Sequence, residues 1–311
     1  MTPEPFLEQL ARGPVLADGA MGTLLHARGV AFDSCFDELN VSQPALVADV
    51  HRAYIDAGAQ LIITNTFGAN AFKLRRAGLD KRVGEINAAA VALARRAVAA
   101  AYKPVLVAGD VGPLGVRLAP FGRVKAEQAY AAFHEQITAL VEAGVEVLVI
   151  ETLSDLHEMA EAVRAAKACG PIPVIATLTF TRDDRTLLGD PPAKVAAALA
   201  ATGADVIGVN CSGGPAQLQR VLAQMRQAAP QARLAVKPNA GWPEQVEGRI
   251  MYPATPAYFG EYAAAFAELG ASVIGGCCGT TPAHIAAMRA ALDAPPPERP
   301  SRVWAVAGDD D

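Results

Sequence analysis

Three cysteines stand where thiols could bind a soft metal ion. Cys277 and Cys278 are adjacent and follow the short apolar stretch 272–274, two glycines after its end. Cys211 has a matching place upstream, directly after the apolar stretch 206–209 and Asn210. Thiolates are preferred ligands of Zn²⁺, and three of them leave the fourth tetrahedral position open. The alternatives are buried cysteines that serve as small apolar side chains, and a vicinal disulfide.

The charge of such a centre indicates which chemistry it suits. Three thiolates outweigh the charge of a 2+ ion, so a bound water would be acidified less than at a site of three histidines. The centre is therefore poorly suited to hydrolysis. It suits the capture of a substrate thiol as the thiolate, which lowers the thiol pKa and leaves the sulfur nucleophilic.

Carboxylates and one amide are placed where they could bind the rest of a substrate. Glu151 ends the apolar stretch 147–150, and Asp18 precedes Gly19. We predict that both pair with a substrate ammonium, with a turn role as the alternative for Asp18. An unpaired carboxylate at the end of a buried strand is costly, which favours a binding role for Glu151 over a structural one. Asn239 is either a turn residue or an oxygen ligand of the metal when substrate is absent.

The elements that position these residues alternate along the chain. Eight short apolar stretches predict strands, and Ala-rich segments with helical apolar spacing lie between them. The predicted strands are 15–17, 61–64, 105–108, 147–150, 174–177, 206–209, 234–236 and 272–274. Eight such units predict an α/β fold of the (β/α)8 TIM barrel type, with functional residues at the carboxyl ends of the strands. A doubly wound sheet is the rival, but the sequence has no G-x-G-x-x-G motif.

Composition limits the function classes. The chain has 311 residues, 52% of them hydrophobic and 19% charged, and a net charge of −5 with scattered Lys and Arg. We therefore expect a large core, no nucleic-acid partner and no membrane span. Five cysteines without a disulfide framework, and an N-terminus unlike a signal peptide, predict the reducing cytoplasm. We assign residues 1–293 to the barrel and residues 294–311 to a Pro-rich, then acidic, tail or linker stub.

The motifs resemble those of the zinc-dependent homocysteine S-methyltransferases. That family includes betaine–homocysteine methyltransferases and the homocysteine-binding domain of cobalamin-dependent methionine synthase, which this sequence resembles most. The resemblance covers roughly residues 10–293. It rests on four segments: Asp18-Gly-Ala-Met-Gly-Thr23, Thr64-Asn-Thr-Phe-Gly-Ala-Asn70, Gly208-Val-Asn-Cys211 and Gly275-Gly-Cys-Cys-Gly-Thr280.

The resemblance implies a (β/α)8 barrel and assigns roles residue by residue. It implies Zn²⁺ on Cys211, Cys277 and Cys278, with Asn239 as the oxygen ligand that homocysteine displaces. The implied substrate contacts are Asp18, Gly19, Ala20, Met21, Thr23, Asn65, Thr66 and Glu151. No further catalytic residue is implied, because metal binding itself releases the thiol proton.

The expected reaction is attack of the homocysteine thiolate on an activated methyl group, giving methionine. The methyl donor stays open. It could be methylcobalamin on a partner module, with methyltetrahydrofolate as ultimate donor and downstream folate and cobalamin domains. Fusion to a methylenetetrahydrofolate reductase, or a stand-alone enzyme that uses betaine or a methylsulfonium, are the alternatives. A zinc-binding regulatory barrel without turnover is the non-enzyme alternative, and a metal-free aldolase-like barrel would use Lys237.

Overall fold

The computed structural model describes residues 5–246 and 249–294. Eight parallel strands form one sheet, and a two-stranded antiparallel hairpin lies outside it. The strands are β1 (Val15–Leu16), β2 (Leu61–Ile63), β3 (Leu106–Val111), β4 (Val147–Leu153), β5 (Val174–Leu178), β6 (Val206–Cys211), β7 (Leu234–Pro238), β8 (Glu244–Val246), β9 (Arg249–Met251) and β10 (Ala271–Ile274).

The sheet runs in the order β1-β10-β7-β6-β5-β4-β3-β2. A parallel bridge between Ala17 and Leu61 links its two edge strands. The sheet therefore curls into a nearly closed barrel. This confirms the predicted (β/α)8 fold and brings the carboxyl ends of all eight barrel strands to one mouth.

Helices connect and surround the strands. They are α1 (Phe6–Arg12), α2 (Gly22–Ala27), α3 (Leu39–Ser42), α4 (Pro44–Asp56), α5 (Ala71–Leu74), α6 (Val83–Ala101), α7 (Ala126–Glu142), α8 (Leu156–Ala168), α9 (Pro192–Ala201), α10 (Pro215–Ala228), α11 (Pro256–Glu268) and α12 (Pro282–Asp293). In the described part of the chain, no helix is both long and apolar enough to cross a bilayer.

Two apolar layers stabilise the barrel. Along β4, Val147 and Val149 belong to the cluster inside the barrel, whereas Leu148 and Ile150 pack outward against the helices. This alternation follows from the period of two along a strand. Phe6 of α1 packs into the inner cluster, so α1 covers the amino-terminal end of the barrel. The polar residues are left at the opposite end.

The strands differ from the prediction in one useful way. β3, β4 and β6 continue past their predicted ends and include Asp110, Glu151 and Cys211. The polar residues are thus part of the hydrogen-bonded sheet, which holds them more firmly than a loop would. The β8–β9 hairpin was not predicted, since its short strands lack an apolar run. Of the predicted tail 294–311, residues 295–311 lie outside the described residues.

Burial of His51 in α4 predicts a measurable acid sensitivity. The ring is fully buried, and neither nitrogen has a hydrogen-bond partner among residues 5–246 and 249–294; burial lowers its pKa from 6.5 to about 4. Below pH 6.5 His51 is protonated in the unfolded chain but stays neutral in the folded protein. The free energy of unfolding therefore falls as the pH falls toward 4. The full effect is on the order of 3 kcal/mol.

His51→Leu should remove this contribution. We expect the difference in unfolding free energy between the variant and the wild type to shift in favour of the variant between pH 7 and pH 4.5. Urea denaturation at the two pH values measures it. An unchanged difference would show that His51 has the same pKa in the folded and the unfolded state.

Candidate active site

Three thiols meet at the barrel mouth. Cys211 ends β6, and Cys277 and Cys278 follow β10. Strand β7 lies between β6 and β10, and its last residue, Pro238, pairs with Cys211 and accepts a hydrogen bond from the Cys277 N–H at 2.8 Å. The three Sγ atoms all lie within 4.8 Å of one another. The spacing suits a single metal ion with three thiolate ligands.

The backbone at Cys211 adopts a conformation that is rare for residues other than glycine. Cys211 and Ser212 have φ angles of 57° and 56°, both in the left-handed region. The Ser212 hydroxyl holds this turn, because it accepts a hydrogen bond from the Phe180 N–H at 2.7 Å and lies 3.1 Å from the Thr179 hydroxyl. Such strain persists only where surrounding contacts enforce it, and it is concentrated at functional sites.

The loop after β1 is tied to the loop that carries Cys277 and Cys278. The Thr280 hydroxyl accepts a hydrogen bond from the Ala20 N–H at 3.0 Å and donates one to the Cys277 carbonyl at 2.7 Å. The Thr23 hydroxyl accepts from the Gly279 N–H at 3.0 Å. A Cβ at Gly276 would lie 2.4 Å from the Thr280 hydroxyl, so only glycine fits there. The predicted Asp18–Thr23 segment therefore lies directly beside the thiols.

Two asparagines beside the thiols fit a metal centre. The Asn239 amide donates to the Ser212 carbonyl at 2.8 Å, but its Oδ1 is buried without a partner in the described part of the chain. An oxygen left in this state is a candidate fourth ligand. Asn210 is fully buried, and its Nδ2 donates to the Thr152 hydroxyl at 2.7 Å and lies 3.8 Å from the Cys277 Sγ. An N–H directed at the sulfur favours the thiolate.

Burial and the contacts among the three thiols determine their protonation state. The pKa of Cys277 is raised well above its usual value, first by its hydrogen bond with Cys211 and further by burial. The pKa of Cys211 is raised to about 12; its hydrogen bond with Cys277 lowers it, but the one with Cys278 and burial together outweigh that effect. Without a cation the thiols stay protonated at neutral pH. A metal that binds here must displace their protons.

The Glu151 carboxylate has a partner that the sequence argument did not identify. Glu151 and Lys237 form a buried ion pair across the barrel mouth, from β4 to β7. Burial acts to lower the pKa of Lys237, but Glu151 and the other carboxylates outweigh it, and the pKa is raised. Lys237 is therefore a cation that compensates the acidic mouth. It is not the neutral amine that an aldolase-like Schiff base would need.

Most of the predicted substrate-binding residues line one cavity of about 550 Å³ at the barrel mouth. Its wall includes Gly19, Ala20, Met21, Thr23, Asn65, Glu151, Cys211, Cys277 and Cys278. Asp18 and Thr66 are not part of this wall. The Asp18 carboxylate is buried and accepts from the Ile63 N–H at 2.9 Å, and burial raises its pKa to about 7. The Thr66 hydroxyl donates to the Asp110 carbonyl at 2.8 Å.

Several residues in or beside the cavity were not assigned to homocysteine or zinc by the sequence analysis. Asp110 and Lys237 line the cavity. Asn210 supports Cys277, and the Tyr252 ring covers Gly279 so closely that a Cβ there would lie 2.2 Å from it. For Asp110 and Asn210, their positions at the ends of predicted strands could have indicated a place at the barrel mouth. Tyr252 follows the unpredicted hairpin and gave none.

Comparisons with known proteins show which family this chain is similar to. The family model for homocysteine S-methyltransferase matches residues 15–292. The chain is 34% identical over 302 residues to a methionine synthase from Mycobacterium tuberculosis, covering 92% of this chain and 25% of that protein. The chain thus spans about a quarter of the length of this relative. It is also 34% identical over 304 residues to a homocysteine S-methyltransferase from Escherichia coli, covering 89% of this chain and 94% of that protein.

Solved structures show the same barrel. The homocysteine methyltransferase MmuM from Escherichia coli matches with a TM-score of 0.77 and 29% identity, covering 92% of this chain and 99% of that chain, in both an oxidised and a metallated form. The thiol cluster, the barrel and the match of the family model over residues 15–292 lead to one conclusion. This chain is an enzyme of the homocysteine S-methyltransferase family.

Proposed function

We propose that the protein binds Zn²⁺ through Cys211, Cys277 and Cys278 and methylates homocysteine to methionine. The observation that carries the proposal is the convergence of three thiols within 4.8 Å on the wall of one cavity. The unpartnered Asn239 Oδ1 supports a fourth ligand that substrate displaces. All five cysteines are free, which suits a reducing compartment such as the cytoplasm.

When bound, Zn²⁺ supplies the positive charge that keeps the homocysteine sulfur as a thiolate at neutral pH. The residues of the chain do the rest. The Asn210 amide, 3.8 Å from the Cys277 Sγ, stabilises negative charge on sulfur. The Gly19–Thr23 loop lines the cavity beside the thiols. We assign the substrate carboxylate to this loop, and its ammonium to Glu151, which Lys237 holds in place.

The transfer itself needs no further proton. The homocysteine sulfur lone pair forms a bond to the methyl carbon while the bond from that carbon to its carrier breaks, and the carrier leaves with the electron pair. Because the thiol proton is lost on binding, no side chain must act as a base in this step. The role of the cavity is to hold the sulfur and keep the line of attack open.

For the donor we favour methylcobalamin on a separate methyl-carrying module, with methyltetrahydrofolate as its ultimate source. The motifs resemble the methionine synthases most, and one such relative matches over 92% of this chain. Small donors are the second candidate. The Escherichia coli relative, a homocysteine S-methyltransferase of which 94% is covered, supports them. Membership of an enzyme family opposes a purely regulatory zinc barrel.

A donor panel tests the proposal. We expect the zinc-loaded protein to form methionine from homocysteine and free methylcobalamin, and to turn over betaine and a methylsulfonium poorly or not at all. Mass spectrometry of methionine formed from a deuterated methyl group measures transfer. The Cys211→Ser variant is the control for uncatalysed methylation. Efficient use of betaine or a methylsulfonium would overturn the donor assignment, and no methionine from any donor would favour the regulatory barrel.

A further inference from the structure

The cavity contains a carboxylate that neither the metal site nor the ion pair uses. Asp110 lies near the end of β3 and lines the cavity, although only 7% of its surface is exposed. Its Oδ1 has no hydrogen-bond partner in the described part of the chain. A buried carboxylate oxygen without a hydrogen-bond donor costs free energy, so its presence in the cavity wall calls for an explanation.

The backbone of Asp110 is held from both sides. Its N–H donates to the Thr64 hydroxyl at 3.0 Å, and its carbonyl accepts from the Thr66 hydroxyl at 2.8 Å and from the Gln136 amide at 3.3 Å. The backbone that carries the Asp110 carboxylate is therefore held in one position in the cavity wall. A group held in this way does not need to reorganise when a ligand arrives.

No ammonium group forms an ion pair with Asp110 in the described part of the chain. Lys237 is engaged by Glu151. The Lys73 ammonium lies 4.1 Å from the centre of the Phe67 ring and interacts with Asp110 electrostatically without forming an ion pair. Burial raises the pKa of Asp110 well above its usual value, and Glu151, Asp37 and Asp18 raise it further, against the lowering effect of Lys237. A cation that binds beside Asp110 would favour its ionised form. The cavity wall carries four carboxylates against three cations, so it is suited to a positively charged ligand; the carboxylates are Asp33, Asp37, Asp110 and Glu151, and the cations are Lys73, Arg76 and Lys237.

Hydrogen-bonding chemistry indicates which class of cation could satisfy the Asp110 Oδ1. A quaternary ammonium or a sulfonium has no N–H and would leave the Oδ1 unsatisfied. A primary ammonium has three N–H donors, enough to reach two carboxylates at once. Glu151 interacts electrostatically with both Asp110 and Cys277, so the two carboxylates and the thiols belong to one site.

We propose that Asp110 binds the substrate ammonium together with Glu151, so that the amino group of homocysteine bridges the ends of β3 and β4. This inference rests on the proposed function and adds a residue to it. Thr64, Thr66 and Gln136 then act as positioning residues that fix Asp110. Homocysteine is selected over thiols without an amino group because only an ammonium satisfies the buried Asp110 oxygen.

The test compares two ligands on two proteins. Homocysteine and 4-sulfanylbutanoate, which is homocysteine without its amino group, are titrated into zinc-loaded wild type and Asp110→Asn by calorimetry. We expect the variant to bind homocysteine roughly 10- to 100-fold more weakly, the usual range for loss of a charged hydrogen-bond partner. Its affinity for 4-sulfanylbutanoate should stay the same, and so should its zinc content. Asp33→Asn, which removes an exposed carboxylate from the rim of the same cavity, controls for long-range charge effects.

The possible outcomes distinguish a failure of the Asp110 role from a failure of the proposed homocysteine methyltransferase function. Equal losses for both ligands, or no loss for homocysteine, would overturn the role of Asp110. If the wild type does not bind homocysteine at all, the proposed function fails instead. Asp110→Ser provides a second variant without the carboxylate, should the asparagine variant fail to fold, and the same ligand difference is expected for it.

Discussion

Replacing Cys277 and Cys278 together by serine is expected to remove nearly all bound zinc and to abolish methyl transfer. The double variant keeps one thiolate of three, and a serine hydroxyl is a poor replacement because it is not deprotonated at neutral pH. Binding energies of structural zinc are about 10–16 kcal/mol, so loss of two thiolates should lower the affinity by several orders of magnitude. Metal analysis of the purified, reduced protein measures zinc per chain.

The matched control is Cys169→Ser. Cys169 is also a free, partly buried cysteine, but it lies on the outside of the barrel, where its Sγ is 3.5 Å from the Thr138 hydroxyl. We expect this variant to retain close to one zinc per chain, and the single variants of Cys211, Cys277 and Cys278 to lose most of it. Stoichiometric zinc in the folded Cys277→Ser/Cys278→Ser variant would mean that the metal binds elsewhere.

The thiol site could be predicted from the sequence because it depends on topology alone. The carboxyl ends of parallel barrel strands meet at one mouth, so residues directly after β6 and β10 must lie close together once the barrel is recognised. The same reasoning brought Glu151 to the site. Strand topology could not predict the backbone conformation at Cys211, because a positive φ at a residue other than glycine is imposed by contacts such as those of Ser212.

Side-chain pairing across the mouth could not be predicted in the same way. Glu151 and Lys237 are 86 positions apart and stand on strands that are not neighbours in the sheet. Whether they meet depends on the width of the barrel and on which way each side chain turns, and strand order fixes neither. Thr66 shows the same limit, since strand order does not predict that its hydroxyl donates to the Asp110 carbonyl.

Lys237→Met is expected to destabilise the protein by about 3–5 kcal/mol, the range for removing one partner of a buried ion pair. Both side chains are less than a tenth exposed, so water cannot replace the lost ammonium. Glu151 would be left as an unpaired buried charge, with Asp18 and Asp110 also losing the nearby cation that favours their ionised forms. Urea denaturation of the zinc-loaded protein at neutral pH measures the change.

A double-mutant cycle with Glu151→Gln separates the ion pair from packing. Glu151→Gln alone should weaken homocysteine binding by about 1–3 kcal/mol and leave the zinc content unchanged.

Adding Glu151→Gln to Lys237→Met removes the unpaired carboxylate, so the double variant should regain part of the lost stability. The recovery should be incomplete because Lys237 also compensates Asp18 and Asp110. Strictly additive losses would mean that Glu151 and Lys237 are not coupled, and that the acidic mouth is compensated by another cation.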